Sequence, residues 1–196
     1  RAESGEDSAF VEELCKKLDV PCRIIAADIP AMAKKNKAGL EEMARLFRYE
    51  VFEEAAREQE AQGRECRIAV AHNREDQAET VLFNLCRGSG LKGLGGMAME
   101  RGRIIRPLLA FSREQIEAYV RQEGYSWRED RTNRSDAYTR NRIRHHLLPL
   151  MEEEINERSA EHICEAAAFV READAYIQDQ CLLAMESCTF SEEENS

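Results

Sequence analysis

Apolar residues recur along most of the chain at the spacing of amphipathic helices, and short apolar runs of strand length interrupt this pattern. Phe10, Leu14 and Leu18, for example, fall on one helical stripe. The spacing predicts helices at residues 8–18, 40–62, 75–86 and 112–123. The short runs predict strands at residues 22–27, 66–71 and 104–105. Helices that alternate with strands in this order favour an α/β fold, with a parallel sheet covered by helices on both faces.

Two stretches lack a clear period. Residues 87–96 hold half of the ten glycines and predict a loop. Residues 126–141 are polar and rich in arginine, which indicates a functional loop, either ordered or flexible. From Arg142 onward the pattern is helical, at about 145–151 and 155–185. We therefore expect a domain at residues 1–146 and an acidic helical appendage at residues 147–196.

The beginning of the chain departs from a doubly wound sheet. Such a sheet normally starts with an apolar strand, and the turn after that strand binds the phosphates of the ligand. This sequence starts instead with polar residues and a helical pattern. We therefore expect the first strand or strands of the sheet to be missing.

Charge is distributed unevenly, although the whole chain carries a formal net charge of -10. Residues 72–146 hold 14 Lys and Arg, 13 of them arginine, against 10 Asp and Glu. Arginine suits the forked recognition of phosphate and stacking on bases, so a phosphate-rich ligand remains compatible with the overall acidity. Residues 147–196 hold only 2 Lys and Arg against 13 Asp and Glu.

The composition also excludes several classes of protein. The seven cysteines are odd in number and form no C-x-x-C pair, which argues against a disulfide framework and a zinc ribbon. No apolar run approaches the roughly 18 to 20 residues of a membrane helix, and the start does not resemble a signal peptide. The sequence thus predicts a cytoplasmic protein without membrane attachment.

The first candidate site follows the strand predicted at residues 66–71, where the sequence reads H-N-R-E-D-Q-A-E-T. Ligands of parallel sheets bind outside the carboxyl ends of the strands, so polar residues here are well placed. Asp76, Glu79 and Thr80 share a helical face, and the two carboxylates could hold a Mg²⁺ ion on nucleotide phosphates. The alternative is that the acidic residues only complement the helix dipole and that His72 forms a local hydrogen bond.

Two further segments could carry chemistry. In R-G-S-G, the glycines Gly88 and Gly90 let the backbone approach a ligand, while Arg87 could pair with a phosphate or base. The alternative is a helix cap followed by a flexible connector. The stretch from Trp127 to His146 combines arginines with aromatic residues, a pattern typical of single-stranded RNA binding.

That arginine-rich stretch also has a structural alternative. Asp130 and Asn133 could orient the arginines or bind a base edge. An arginine–aspartate network could equally hold the loop to its helix, and Asp136 and Arg140, four residues apart, would suit such a network.

Five blocks in order give the chain a family resemblance. They read H-N-R-E-D-Q-A-E-T, R-G-S-G-L-K-G-L-G-G-M, I-I-R-P-L-L, W-R-E-D-R-T-N and R-N-R-I-R-H-H-L-L-P-L. In this order and spacing the chain, over about residues 1–155, resembles the bacterial tRNA(Ile)-lysidine synthases. The resemblance implies a pyrophosphate-loop ATP-pyrophosphatase with a Rossmann-like, adenine nucleotide alpha hydrolase-like fold.

The resemblance also implies a reaction and its partners. Mg²⁺ and ATP would serve to adenylate the C2 oxygen of the wobble cytosine in a tRNA(Ile) with a CAU anticodon. Free L-lysine would then displace AMP to give lysidine, which makes the enzyme a ligase. A homodimer is one assembly that the resemblance allows.

Site residues carry over by their positions in the matching blocks. A catalytic role is implied for Asp76, Arg106 and Asp130. Nucleotide binding is implied for His72, Asp76, Glu79, Thr80, Arg87, Gly88 and Gly90, with Mg²⁺ at Asp76. Contacts with the RNA or substrate are implied for Arg87, Asn133, Arg140, Asn141 and Arg144.

The sequence departs from the family pattern at one decisive point. The family's S-G-G-x-D-S phosphate loop is absent, and the S-G-E-D-S at residues 4–8 is one glycine short with no strand before it. The family's H-x-x-D-D block carries Glu75 in place of the first aspartate. We therefore expect a portion of a lysidine synthase that is inactive alone. The alternatives are a non-catalytic RNA- or partner-binding module and another pyrophosphate-loop tRNA modifier, such as a thiolase.

Overall fold

The computed structural model describes residues 2–128, 136 and 138–193, and the side chains of residues 5–128, 136 and 138–188. Within these limits the chain forms two compact units, one that runs to Cys66 and one that begins at Arg67.

The first unit is helical. It contains α1 (Ala2–Lys17), α2 (Ile29–Asn36) and α3 (Leu40–Glu60). Helix α2 packs on α3, and the buried residues of the pair are Ala33, Met43 and Ala56. Helix α3 lies close to its predicted bounds, whereas α1 begins six residues before the predicted start and α2 was not predicted.

The prediction of a strand at residues 22–27 is wrong. These residues form no ladder, and Ile24 and Ile25 are 45% and 40% exposed. A strand needs a neighbour that accepts its hydrogen bonds, and the described part of the first unit contains no other strand. The chain instead turns into α2, where Asp28 caps the helix by accepting a hydrogen bond from the Ala31 amide at 3.0 Å. Pro30 lies in the first turn, where its missing N–H group costs nothing.

The second unit contains a small mixed sheet of three two-residue strands, β1 (Ile68–Ala69), β2 (Glu100–Arg101) and β3 (Ile104–Ile105). The strand order is β1-β3-β2. Strand β1 runs parallel to β3, with Ile68 opposite Ile104, so the predicted parallel pairing is confirmed for this pair. Strand β2 was not predicted and pairs antiparallel with β3, because Gly102 allows a tight turn at a φ of 59°.

The other described elements of the second unit are helical. They are α4 (Arg74–Cys86), α5 (Leu91–Leu94), α6 (Arg113–Gln122), α7 (Thr139–Arg142), a π-helical segment (Ile143–Leu147), α8 (Leu148–Glu154) and α9 (Ser159–Glu193). The capping box of α6, from Ser112 and Gln115, is confirmed. Helix α5 lies within the glycine-rich stretch that was predicted to be a loop.

The core of the second unit joins α4 to the later helices. It consists of Ala78, Leu82, Ile143, Leu148 and Ala160. The beginning of α9 therefore packs into the same core as α4. The division of the chain at residue 146 stays a prediction. In the part of the chain that the structure describes, no helix combines the length and apolar character needed to cross a membrane.

Candidate functional site

Helix α4 begins where the chain leaves the carboxyl end of β1. Asn73 caps the helix, since its Oδ1 accepts a hydrogen bond from the Asp76 amide at 2.9 Å. In return, Oδ2 of Asp76 accepts a hydrogen bond from the Asn73 amide at 3.1 Å. This capping box fixes the first turn of α4 and orients the Asp76 carboxylate.

A cluster of ion pairs joins α4 to the segment 139–147. We call it the charge cluster and define it as Asp76, Glu79, Arg140 and Arg144. Glu79 is fully buried, at 0% exposure. Its Oε2 accepts a hydrogen bond from Arg140 Nε at 3.0 Å, and its Oε1 accepts one from Arg144 Nε at 2.5 Å. Both arginines lie on one face because they are four residues apart across α7 and the π-helical segment.

The remaining contacts of the charge cluster tie it to the backbone of α4. Arg144 Nη2 also donates to Asp76 Oδ1 at 2.9 Å. Arg140 Nη2 donates to the Asp76 carbonyl and to Thr80 Oγ1, each at 3.1 Å. Burial disfavours the charged form of Arg144, but the hydrogen bond to Glu79 and the attraction of Glu79 and Asp76 outweigh it and raise the pKa of this guanidinium. Two arginines and two carboxylates thus neutralise one another.

This geometry does not fit a magnesium ion at Asp76. Both carboxylate oxygens of Asp76 already accept hydrogen bonds, Oδ1 from Arg144 and Oδ2 from Asn73. Among the described residues, no group of three His, Cys, Asp or Glu side chains could hold a metal. Hard cations need several oxygen ligands, and the engaged Asp76 carboxylate does not offer them. The assignment of Mg²⁺ to Asp76 stays a prediction.

The other predicted residues lie outside the charge cluster. Arg87 caps the far end of α4, roughly 20 Å from its start, and its guanidinium lies 5.1 Å from the centre of the Phe83 ring. Gly88 follows with a φ of 71°, and Gly90 caps α5. His72 lies half-buried at the end of the strand segment. The structure therefore brings Asp76, Glu79, Thr80, Arg140 and Arg144 together and places the R-G-S-G segment elsewhere.

Arg106 follows directly after β3 and is only 6% exposed. Its Nη1 donates to the Ala98 carbonyl at 2.8 Å, while its buried Nε meets no hydrogen-bond partner among the described residues. Asn141 is half-buried beside Arg140. The predicted site residues Asp130 and Asn133 lie outside the described residues.

Sequence reasoning missed one polar cluster next to the arginine-rich stretch. Asp136 Oδ1 lies 2.8 Å from His145 Nδ1, and its Oδ2 lies 2.8 Å from His146 Nε2. Hydrogen bonds from His146 and His145 lower the pKa of the Asp136 carboxyl group. The structure thus pairs Asp136 with two histidines nine and ten residues away, and it directs Arg140, expected beside Asp136, to Glu79. No helical spacing signals such a contact.

Comparison with known proteins assigns the family. A model of the PP-loop domain matches residues 1–151. The chain belongs to the PP-loop domain family. The match covers the sheet of the second unit, α4 and both arginines of the charge cluster.

Three relatives of this PP-loop chain carry the same name. It is 41% identical over 179 residues to the tRNA(Ile)-lysidine synthase of Caldanaerobacter subterraneus subsp. tengcongensis, a match that covers 91% of the chain and 38% of that protein. Against the tRNA(Ile)-lysidine synthase of Thermosipho africanus the identity is 40%, with 92% and 41% covered. Against that of Chlorobaculum tepidum it is 39%, with 85% and 51% covered. The chain therefore spans between 38% and 51% of the length of these relatives.

Proposed function

We propose that this chain is part of a tRNA(Ile)-lysidine synthase. The complete enzyme would use ATP to join L-lysine to C2 of the wobble cytidine of a tRNA(Ile) with a CAU anticodon. The observation that carries the proposal is the sequence identity of 41% and 40% to two proteins of that name, over 91% and 92% of the chain. Because the chain spans less than half the length of these two relatives, the activity is proposed for the complete protein.

The position of two polar residues at the edge of the sheet supports this proposal. Strands β1 and β3 are parallel, so their carboxyl ends meet at the same edge of the sheet. His72 follows β1 and Arg106 follows β3 at this edge. Ligands of α/β sheets bind in that crevice, and we therefore propose that His72 and Thr80 line the nucleotide site.

We further propose that the charge cluster acts in this site by orienting α4. Asp76 and Glu79 lie in the first turns of α4, and the two arginines hold them to the segment 139–147. The segment 139–147 includes the end of the arginine-rich stretch, which we propose contacts tRNA. An ordered charge cluster between the RNA-binding and nucleotide-binding parts would hold them in a fixed relative position.

The test is ATP-dependent incorporation of labelled lysine into a tRNA(Ile) transcript. Two proteins are compared, this chain and the extended protein, which is the complete polypeptide that includes it. We expect labelling only by the extended protein, and only when the transcript carries cytidine at the wobble position. A transcript with uridine there is the matched control. Equal labelling of both transcripts, or no labelling by the extended protein, would contradict the proposal.

A non-catalytic RNA-binding module is the second candidate. It is favoured by the charge cluster, since Asp76 and Glu79 are neutralised by arginines and leave no carboxylate free for catalysis there. The same assay separates the candidates when tRNA binding is measured beside it. Binding by the extended protein without lysine incorporation would support the module.

A further inference from the structure

The backbone of residues 88–98, which we call the glycine-rich segment, is held by side chains from α4. Gln77 is 3% exposed, and its amide forms two hydrogen bonds with one residue of the segment. Its Nε2 donates to the Met97 carbonyl at 2.9 Å, and its Oε1 accepts from the Met97 amide at 2.7 Å. Asn84 Nδ2 donates to the Gly93 carbonyl at 2.7 Å. Helix α4 thus anchors the segment at two points.

Helix α9 supplies a third anchor through Arg171, whose Nη1 donates to the Gly95 carbonyl. The backbone at Gly95 also lies directly against this helix. A Cβ atom at Gly95 would be 2.5 Å from Arg171 Cγ and 3.5 Å from Arg171 Cα. A Cβ atom at Gly95 therefore requires the Arg171 side chain or the segment itself to shift.

Gly96 shows the same close fit on the side of α4. Its φ is 65°, a conformation that favours glycine, and an added Cβ would lie 2.8 Å from Gln77 Oε1. The second half of the segment is thus fitted between α4 and α9. It is an ordered structure and not the flexible connector that its glycine content suggests.

The first half of the segment is open. Cβ atoms added at Gly88 and Gly90 would meet nothing within 4 Å. The adjoining Arg87 is exposed. The Gly88 and Ser89 amides donate to the Leu85 and Asn84 carbonyls of α4. The group here that suits a phosphate is therefore the exposed Arg87 guanidinium, with open space beside it at Gly88 and Gly90. The segment therefore combines an anchored base, residues 93–98, with an open tip, residues 88–90, that adjoins Arg87.

We propose that Arg171 is a positioning residue, which holds the glycine-rich segment so that its open tip meets the phosphates of the tRNA. Arg171 lies outside residues 1–151, which match the PP-loop domain, so a residue beyond that match orients a loop within it. The part of this proposal that concerns tRNA rests on the proposed function. A charged donor to a backbone carbonyl contributes more than a neutral one, which makes Arg171 the anchor of choice for a test.

The experiment uses the complete protein and four variants. Arg171→Ala removes the anchor, and Arg171→Lys keeps a cationic donor. Gly95→Ala places a methyl group against Arg171 Cγ and so disturbs the same contact from the side of the segment. Arg158→Ala is the matched control, because Arg158 also carries an ion pair near the start of α9, with Glu161 at 2.8 Å, but 57% of its side chain is exposed.

Amide hydrogen exchange of residues 93–98 measures the anchoring directly. We expect Arg171→Ala and Gly95→Ala to accelerate exchange there by about tenfold or more, while Arg171→Lys and Arg158→Ala stay close to the original protein. Unchanged exchange in Arg171→Ala, or an equal change in Arg158→Ala, would overturn the anchoring role.

The tRNA contact is measured separately, by the Kd for the tRNA transcript and by the kinetics of lysine incorporation. We expect Arg171→Ala to raise Kd and KM several-fold with a smaller effect on kcat, and Arg171→Lys to restore most of the loss. Faster exchange with an unchanged Kd would overturn the role in tRNA binding. A protein that binds tRNA through this segment but incorporates no lysine would refute the proposed function and leave the inference standing.

Discussion

Replacement of Glu79 by glutamine removes the buried charge that holds two arginines together. Glu79 is fully buried, and it accepts hydrogen bonds from Arg140 at 3.0 Å and from Arg144 at 2.5 and 3.0 Å. The variant Glu79→Gln keeps the volume of the side chain and one acceptor oxygen. It brings an NH₂ group against at least one guanidinium, since both oxygens of Glu79 are acceptors here.

The magnitude follows from the burial of the partners. Removal of one member of a buried ion pair costs about 3 to 5 kcal/mol, because the other charge is left uncompensated. The side chains of Arg140 and Arg144 are 33% and 29% exposed, so water screens part of their charge. Asp76 also remains as a partner of Arg144. We therefore expect the free energy of unfolding to fall by about 2 to 3 kcal/mol.

Urea unfolding followed by far-ultraviolet circular dichroism measures this loss. With a urea dependence of about 2 kcal/mol/M, the midpoint should fall by about 1 M. Glu117→Gln is the matched control, because Glu117 also pairs with two arginines, Arg113 at 2.8 Å and Arg121 at 3.2 Å, on the surface of α6. Surface pairs contribute less than about 1 kcal/mol, so its midpoint should move by less than about 0.5 M. Equal shifts in the two variants would refute the assignment of the charge cluster as a buried tether.

Three further predictions concern the same unit. Arg140→Ala should lower the free energy of unfolding by about 2 kcal/mol, whereas the exposed neighbour Arg142→Ala should change it by less than about 0.5 kcal/mol in the same urea titration. Asn73→Ala removes the cap of α4 and should cost about 1 kcal/mol, measured as a lower Tm; an unchanged Tm would show that the capping box contributes little. Burial raises the pKa of the Cys164 thiol to about 11, so iodoacetamide at neutral pH should modify it far more slowly than the exposed Cys181. Because this pKa lies above the unfolded value of about 8.5, the buried thiol stabilises the fold fully below that pH and loses its contribution as the pH rises towards 11; replacement of Cys164 by Ala should flatten this alkaline loss.

Local signals in the sequence were sufficient for most of the helices. The cap of α6 by Ser112 depends only on residues three apart. Gly124, with a φ of 72°, follows that helix, as expected for a glycine that ends a helix. The apolar stripes located α3 and α4 to within two residues for the same reason. Contacts between neighbours in the chain are encoded by spacing, and spacing can be read directly.

Contacts between distant residues could not be derived in this way. The apolar run at residues 22–27 has strand composition, but a strand forms only when another segment supplies hydrogen bonds. Asp76 and Glu79 were recognised as one helical face, yet nothing near them in sequence shows that Arg140 and Arg144 neutralise them. Arg171 gave no local signal, because its partner Gly95 lies 76 residues earlier.

The sequence separation within the charge cluster has a consequence for folding kinetics. Glu79 is 61 residues from Arg140 and 65 from Arg144, and closure of a loop of that length costs about 4 kcal/mol of entropy. Ion pairs at i,i+4 on α6 require no such closure, so they can form while the chain is still largely unfolded. We therefore expect the charge cluster to close late, after the transition state, so that Glu79→Gln accelerates unfolding and leaves the folding rate nearly unchanged in a stopped-flow denaturant series. The cluster then determines how long the folded second unit persists, not how quickly it is reached.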